Sequence, residues 1–391
     1  MDVTKSNKQP VSGISNQSFQ SSPSTIICFS HLRWDFVYQR PQHLLTRFAT
    51  MFAVYFVEEP VFDAVDEPTV SFTSKADKLW VVKAHLVDGT SPEEAVTIQK
   101  QLLDKFLRKR KLNDFLFWYY TPMALKFSGH YTPAVTLYDC MDELSLFKFA
   151  PPELKDLEKE LFERADIVFT GGHSLYEHKK NNHHNIFPFP SSIDKQHFEQ
   201  ARTITEEPED QRNIPGPKLG FYGVIDERFD IDTIKEMAEK RPDWHFILLG
   251  PVVKIDPATL PQLPNIHFLG GKNYQQLPQY VSGWDVALIP FMLNEATRFI
   301  SPTKTPEYLA AGIPVVSTAI QDVVRPYGDA GIVKIAGTAD EFIAASEEYI
   351  KLDKKSWLPI IDDFLADNSW SNTFSSMLKN LNTTINNKNN N

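Results

Sequence analysis

The sequence predicts two doubly wound α/β domains facing each other across a cleft. Three observations carry that expectation. Short runs that are apolar on both faces alternate with amphipathic segments, the pattern of buried parallel strands joined by helices. The alternation occurs twice, over residues 25–200 and again over 218–369. Between the two series lies a polar stretch with three prolines, residues 201–217, which reads as a linker.

Taken in order, residues 1–24 are Ser/Gln/Asn-rich, nearly devoid of apolar side chains, and expected to be disordered. The runs TIICFS (25–30), AVYFVEE (53–59), FLFWYY (115–120), AVTLYD (134–139) and DIVFTGG (166–172) read as strands. Helical periods fall at 41–52, 92–111 and 152–165, and in the second of these Leu102, Leu103, Phe106 and Leu107 share one face. The second series contains KLGFYG, HFILLG, IHFLGG, WDVALIP and PVVST. WSNTFSSMLKNL (370–381) reads as a helix of undecided partner, and residues 382–391 as a second disordered tail. Ligands in such sheets bind beyond the carboxyl ends of the strands, so the loops there are where chemistry is expected.

Composition narrows the function. Apolar residues make up 42% and charged residues 23% of 391, a globular balance. The net charge of −10 disfavours a general nucleic-acid binder. Cys28 and Cys140, both in strand-like runs, read as reduced structural thiols of a cytoplasmic protein. No run of about 18 apolar residues suggests a membrane span, and no G-x-G-x-x-G follows the first strand, which disfavours a nicotinamide dehydrogenase.

The most informative stretch is RFISPTKTPEYLAAGIPVVST (298–318). Pro306 is tolerable only in a first helical turn, and Gly312 suits the C′ position. A helix is therefore expected to begin near Thr303–Thr305, with its N-terminus in the loop after WDVALIP. Such an end attracts anions. Lys304 adds a full charge, Ser301 and Thr303 add hydroxyls, and Glu307 is placed to accept bonds from a sugar or ribose diol.

The order of FYG, LLGP, NIHFLG, WDVALIP and SPTKTPEYLAAGIPVVST resembles the nucleotide-sugar domain of GT-B glycosyltransferases, especially family 4. Ser192-Ile193-Asp194 with Phe198 is similar to that family's Asn-Gly-Val-Asp-x-x-x-Phe junction. RWDFVYQRPQHLLTRFA (33–49) and YDCMDELSLFKFAPPEL (138–154) resemble a bacterial subgroup that assembles surface polysaccharide. The resemblance implies a GT-B fold. It also implies transfer of a sugar from a nucleotide-sugar donor to a hydroxyl of a glycan or lipid-linked acceptor, with no cofactor and no obligatory metal.

Two departures qualify it. Where family 4 has the first acid of Glu-x7-Glu, this chain has Phe299; Glu295 is near enough to substitute. After the first strand of the second domain, GVIDERFD offers only Arg228 as a diphosphate ligand, and a surface pair with Asp226 or Glu227 is the competing reading. Asp230 and Asp232 superficially suggest a metal, but acids there suit a helix start.

On the acceptor side, Asp142 is expected to be the general base and Asp139 to hold its loop. His31, Arg33 and Arg40 follow the first strand and are further cleft candidates. So is His173, which otherwise merely precedes a Ser174 cap. His183 and His184 read as a solvated loop. Lys105, Arg108, Lys109, Arg110 and Lys111 form a basic face that suits a peripheral contact with anionic lipid at the inner membrane face, or plain solvation. The alternatives in function are an inactive nucleotide-sugar-binding subunit, kept open by Phe299, and a GT-B nucleotide-sugar 2-epimerase.

Overall fold

A computed structural model describes residues 23–390. Of the disorder expected over residues 1–24, residues 1–22 lie outside the described residues, whereas the Ser24 carbonyl is fixed by the Ala53 N–H at 2.9 Å. The first domain is a nine-stranded sheet built from β1 (Thr25–Phe29), β2 (Ala53–Val57), β3 (Val61–Ala64), β4 (Thr69–Ala76), β5 (Leu79–Val87), β6 (Phe115–Tyr119), β7 (Val135–Cys140), β8 (Ile167–Thr170) and β9 (Ile186–Pro188). Its order is β3-β5-β2-β1-β6-β7-β8-β9, parallel throughout, with β4 antiparallel against β5.

The second domain contributes β10 (Lys218–Tyr222), β11 (His245–Leu249), β12 (Ile266–Gly270), β13 (Val286–Ile289), β14 (Val315–Ser317) and β15 (Lys334–Ile335). These pair in the order β12-β11-β10-β13-β14-β15, all parallel. Both sheets reverse their strand order beside the first strand, and that switch point is where such folds bind ligands. All ten strands read from the sequence are present. The five that were not read, β3, β4, β5, β9 and β15, are half-exposed or very short, so they lack the two-faced apolar run of a buried strand.

Packing follows the strand alternation. Ile26 and Cys28 face one core with the helix Arg40–Phe48, whereas Ile27 and Phe29 face the other with Leu103, Phe106 and Leu107 of the helix Pro92–Arg110. The basic residues of that second helix point to solvent, so its apolar stripe is core and its cations are a solvated face.

Three boundaries differ from expectation. Ile193, Phe198 and Ala201 lie in the core of the second domain, so the crossing occurs before residue 200. The segment 201–217 is docked rather than free: Gln211 is fully buried, accepting from Trp284 Nε1 at 3.1 Å and donating to the Tyr280 carbonyl at 2.8 Å. The C-terminal helix runs Trp370–Asn389, well past 381, because its apolar face returns to the first domain. Met377, Leu381 and Ile385 are buried there with Phe48 and Phe52, which orders residues expected to form a tail. The return strand of chain passes beside the outward one, where the Trp370 N–H donates to the Ile193 carbonyl at 3.1 Å.

Candidate active site

At the carboxyl ends of β10, β11 and β12 lies a cavity of about 440 Å³, lined by Tyr222, Gly223, Tyr274, Thr303, Lys304 and Glu307 and closed from the first domain by Trp34–Gln39. A larger cavity of about 610 Å³ lies elsewhere on the domain boundary and contains neither Lys304 nor Glu307. The smaller one contains both Lys304 and Glu307.

The helix Lys304–Ala310 is built as the sequence implies, with Thr303 before it and Pro306 in its first turn. The Thr303 side chain makes no capping bond, leaving the helix end open to the cavity. With barely two turns of helix behind it, the dipole is small, so Lys304 supplies most of the attraction for an anion. Its ammonium has no hydrogen-bond or ion-pair partner among the described residues and lies 5.8 Å from the centre of the Phe221 ring. Burial lowers its pKa, and Arg228 adds to that effect. The side chain can lie there only because residue 223 is glycine, at φ +146°: a Cβ would sit 2.3 Å from Lys304 Cε.

Glu307 is buried and accepts the Tyr222 hydroxyl at 2.5 Å. Burial raises its pKa to about 7, against the opposing pull of Tyr222 and Lys304. The Tyr222 backbone N–H donates in turn to the Tyr308 hydroxyl at 2.9 Å, which fixes β10 to the helix. The site therefore offers an unpaired cation and a carboxyl acceptor about one turn apart.

Across the cleft stands the loop after β7. Asp142 is half-buried and its carboxylate has no hydrogen bond or ion pair among the described residues. Burial raises its pKa to about 6, while the nearby Arg228 and Arg40 hold it down. Asp139, by contrast, is fully buried and doubly bonded by Arg40, at 2.9 and 3.2 Å, with Arg40 also donating to the Phe189 carbonyl at 2.7 Å. Asp139 and Arg40 are thus a structural pair that holds the loop. His31 is kept neutral, its pKa lowered to about 4 by burial, and its Nδ1 is buried without a partner. Phe147 reaches between the domains, with Arg228 5.3 Å and Lys254 5.9 Å from its ring centre.

Several expected contacts lie elsewhere. Arg228 is doubly bonded to Asp226, at 2.7 to 3.1 Å, as the competing reading had it, yet it still faces both Asp142 and Lys304. Arg33 is held by the Glu59 and Pro60 carbonyls and by Glu58, so it braces the loop instead of reaching the cavity. Glu295 is exposed, pairs with Arg298 at 3.7 Å and lines the larger cavity, away from Lys304. Phe299, at the missing acid's position, is buried against the first domain, stacked on His178 at 4.5 Å. Ser301 is engaged by Ser191, whose hydroxyl donates to its carbonyl at 2.6 Å.

The His173 side chain is exposed, and its helix is capped not by Ser174 but by Asp322 of the second domain. Asp322 accepts the His173 and Ser174 N–H groups at 2.9 and 2.8 Å. Asp230 caps the helix Ile231–Lys240 through the Thr233 N–H at 3.0 Å, as read. Tyr222, Lys254 and Asp322 went unread. They matter only through partners distant in sequence, and no local spacing marks them.

Two facing parallel-sheet domains, with a free cation at a helix start in the second, define a GT-B protein. Residues 216–351 match the model of the family Glycosyl transferases group 1. Among curated proteins, one from Bacillus subtilis (strain 168) is 26% identical over 263 residues, 60% of this chain. It carries the name of a teichuronic acid biosynthesis glycosyltransferase, TuaH, and the chain spans 63% of its length. Sucrose-phosphate synthase from Thermosynechococcus elongatus shares the fold at TM-score 0.66 and 14% identity, over 92% of this chain and 98% of that one. Anabaena HepE, in complex with UDP and glucose, does so at TM-score 0.64 and 13% identity, over 92% and 99%.

Proposed function

We propose that this protein transfers a sugar from a nucleotide-sugar donor to a hydroxyl of a surface glycan or a lipid-linked acceptor. The observation that carries this reading is Lys304, a half-buried cation without a protein partner among the described residues, in the cleft beside Glu307. A diphosphate supplies the missing countercharge, and the charge that develops on it as the glycosidic bond breaks is stabilised by Lys304, with Arg228 behind it. The group match and the name of the Bacillus relative point to the same reaction and to polysaccharide biosynthesis. Glu307 accepts hydroxyls of the ribose or the sugar.

Asp142 is the general base in this reading, since its carboxylate, on the first-domain side of the cleft, is held by neither a hydrogen bond nor an ion pair among the described residues. Its pKa near 6 leaves it ionised at neutral pH yet basic enough to take a hydroxyl proton. His31, held neutral and with an unpartnered Nδ1, is assigned the part of orienting the acceptor in this reading. Because Lys304 and Arg228 take the part of a cation, no metal is needed, and turnover persists in excess EDTA. Loss of turnover with EDTA, restored by Mg²⁺ or Mn²⁺, contradicts this.

The deciding experiment is a thermal-shift screen of nucleotide sugars followed by calorimetry. A matching donor at 100 times its dissociation constant adds about 2.7 kcal/mol of stability. Stabilisation by no nucleotide sugar or nucleoside diphosphate overturns the proposal. A peripheral membrane contact through Lys105–Lys111 is supported only by the exposure of that basic face. Co-sedimentation with vesicles containing anionic lipid, abolished by high salt, is its test.

A further inference from the structure

The outer edge of the first domain carries a row of three side chains that the donor site does not use. Beside His85, β5 pairs with both β3 and β4, through Val61 on one and Thr69 on the other. Asp63 of β3 and Ser71 of β4 reach the imidazole from these two strands. His85 Nδ1 is 2.7 Å from Asp63 Oδ1, and Nε2 is 2.8 Å from Ser71 Oγ. A carboxylate only accepts, so Nδ1 carries the ring hydrogen and donates to Asp63. In the neutral ring that leaves Nε2 bare, and it accepts the Ser71 hydroxyl. One strand thus fixes the tautomer and the other presents a hydroxyl to the free nitrogen. A nucleophile held by a base that is itself held by a third group is recognised by this geometry, whatever the sequence order.

The surroundings suit a reaction that develops negative charge. Lys83 stands directly opposite Ser71 across the β4–β5 pair and two positions from His85, so all three share one face of the sheet. Its ammonium lies 3.3 Å from Glu58 Oε2, which Arg33 also meets at 3.4 Å. Two cations therefore share one carboxylate, and positive charge is left over beside Ser71. Glu58 Oε1 accepts the Trp34 N–H at 2.7 Å, which sets this face next to the segment that walls the cleft. The row is open to solvent, with the Asp63 side chain 58% and the His85 side chain 25% exposed.

We propose that Ser71, His85 and Asp63 form a catalytic centre separate from the donor cavity, one that hydrolyses carboxylic esters. His85 Nε2 takes the Ser71 proton as Oγ bonds the acyl carbon. The ester C–O bond then breaks, and the imidazolium gives its proton to the departing alcohol. Water attacks the acyl-serine by the same exchange, which releases the carboxylic acid and restores Ser71. Lys83 stabilises the oxyanion of the two tetrahedral intermediates. Asp63 is a positioning residue that holds the imidazole in the required tautomer. Because the row lies on an open sheet face, its substrate is a short acyl ester that projects from a larger molecule.

The test uses the full chain with a fluorophosphonate and p-nitrophenyl acetate as probes. Phosphonylation of Ser71, located by peptide mass, and steady release of nitrophenolate are expected, and Ser71→Ala should abolish both. His85→Asn is expected to lower the release by about 10²–10⁴-fold, the usual share of a general base. Asp63→Asn no longer dictates the tautomer. It should slow the release and move its pH profile, which the loss of a group that merely braces the sheet would not do. All three side chains are at least partly exposed, so the variants are expected to fold, as circular dichroism would check. A wild-type chain whose Ser71 takes no label overturns the proposal however the variants behave. Release that persists in Ser71→Ala overturns it as well, and labelling without ester turnover removes the hydrolytic activity.

Discussion

Asp139, near the end of β7, and Asp142, in the loop that follows, are both pushed up in pKa by burial, but only Asp139 has a cation bonded to it. Asp139 is locked to Arg40. Asp139→Asn strands a buried guanidinium and is expected to cost about 3–5 kcal/mol of stability, measured by urea unfolding. Asp142 has its pKa raised to about 6 in the fold. The folded state thus holds its proton more tightly than the unfolded chain, and the stability this contributes fades as pH rises from about 4 through 6. At neutral pH the charged group is a burden, so Asp142→Asn should raise the melting temperature while lowering turnover about 10²–10⁴-fold. The wild-type rate should fall below pH 6 as Asp142 takes up its proton. Near-normal turnover in Asp142→Asn removes it as the base. At the donor end, Lys304→Ala and Glu307→Gln should each weaken nucleoside diphosphate binding. The expected loss is about 1.5–3 kcal/mol, that of a charge-assisted bond, with the fold intact by circular dichroism.

Among elements, the helix His173–Lys179 has its N-terminus completed by the opposite domain, through Asp322. Gly172 permits this, since a Cβ there would lie 2.1 Å from Asp322 Oδ2. Asp322→Ala removes both capping bonds and is expected to cost about 0.5–2 kcal/mol. It should also widen the ligand-free molecule in small-angle scattering. Unaltered scattering and stability would mean the cap does not hold the domains together. Gly172→Ala should behave similarly, by displacing the carboxylate it cannot accommodate.

The whole molecule is tied by two crossings of the chain, one near Ile193 and one at Trp370. The C-terminal helix is part of the first domain's core. Ending the chain after Leu381 removes Ile385, whose full burial is worth about 1.5–3 kcal/mol, and should lower the melting temperature by several degrees. An unchanged melting temperature would show that the last turns contribute nothing. The same geometry predicts that the thermal gain from a donor requires both domains, since Trp34–Gln39 and Lys304 line one cavity from opposite sides.

The strands at the centre of the two sheets, β1, β2, β6, β7 and β8 in the first and β10, β11, β12, β13 and β14 in the second, were legible in the sequence, because a strand covered on both faces is apolar along most of its length. So was the helix Lys304–Ala310, because Pro306 and Gly312 bracket a short helix by local sterics alone. The half-exposed hairpin β4–β5 and the final turns of the C-terminal helix were not, since polar faces there hide what a neighbouring surface covers. The partners of the charged side chains were equally hidden. Asp139 with Arg40, Arg228 with Asp226 and Asp322 with a helix from the other domain each depend on which groups folding brings within about 3 Å. Local sequence determined the elements through backbone geometry and burial; the tertiary structure alone decided which carboxylates and cations were left unpaired for chemistry.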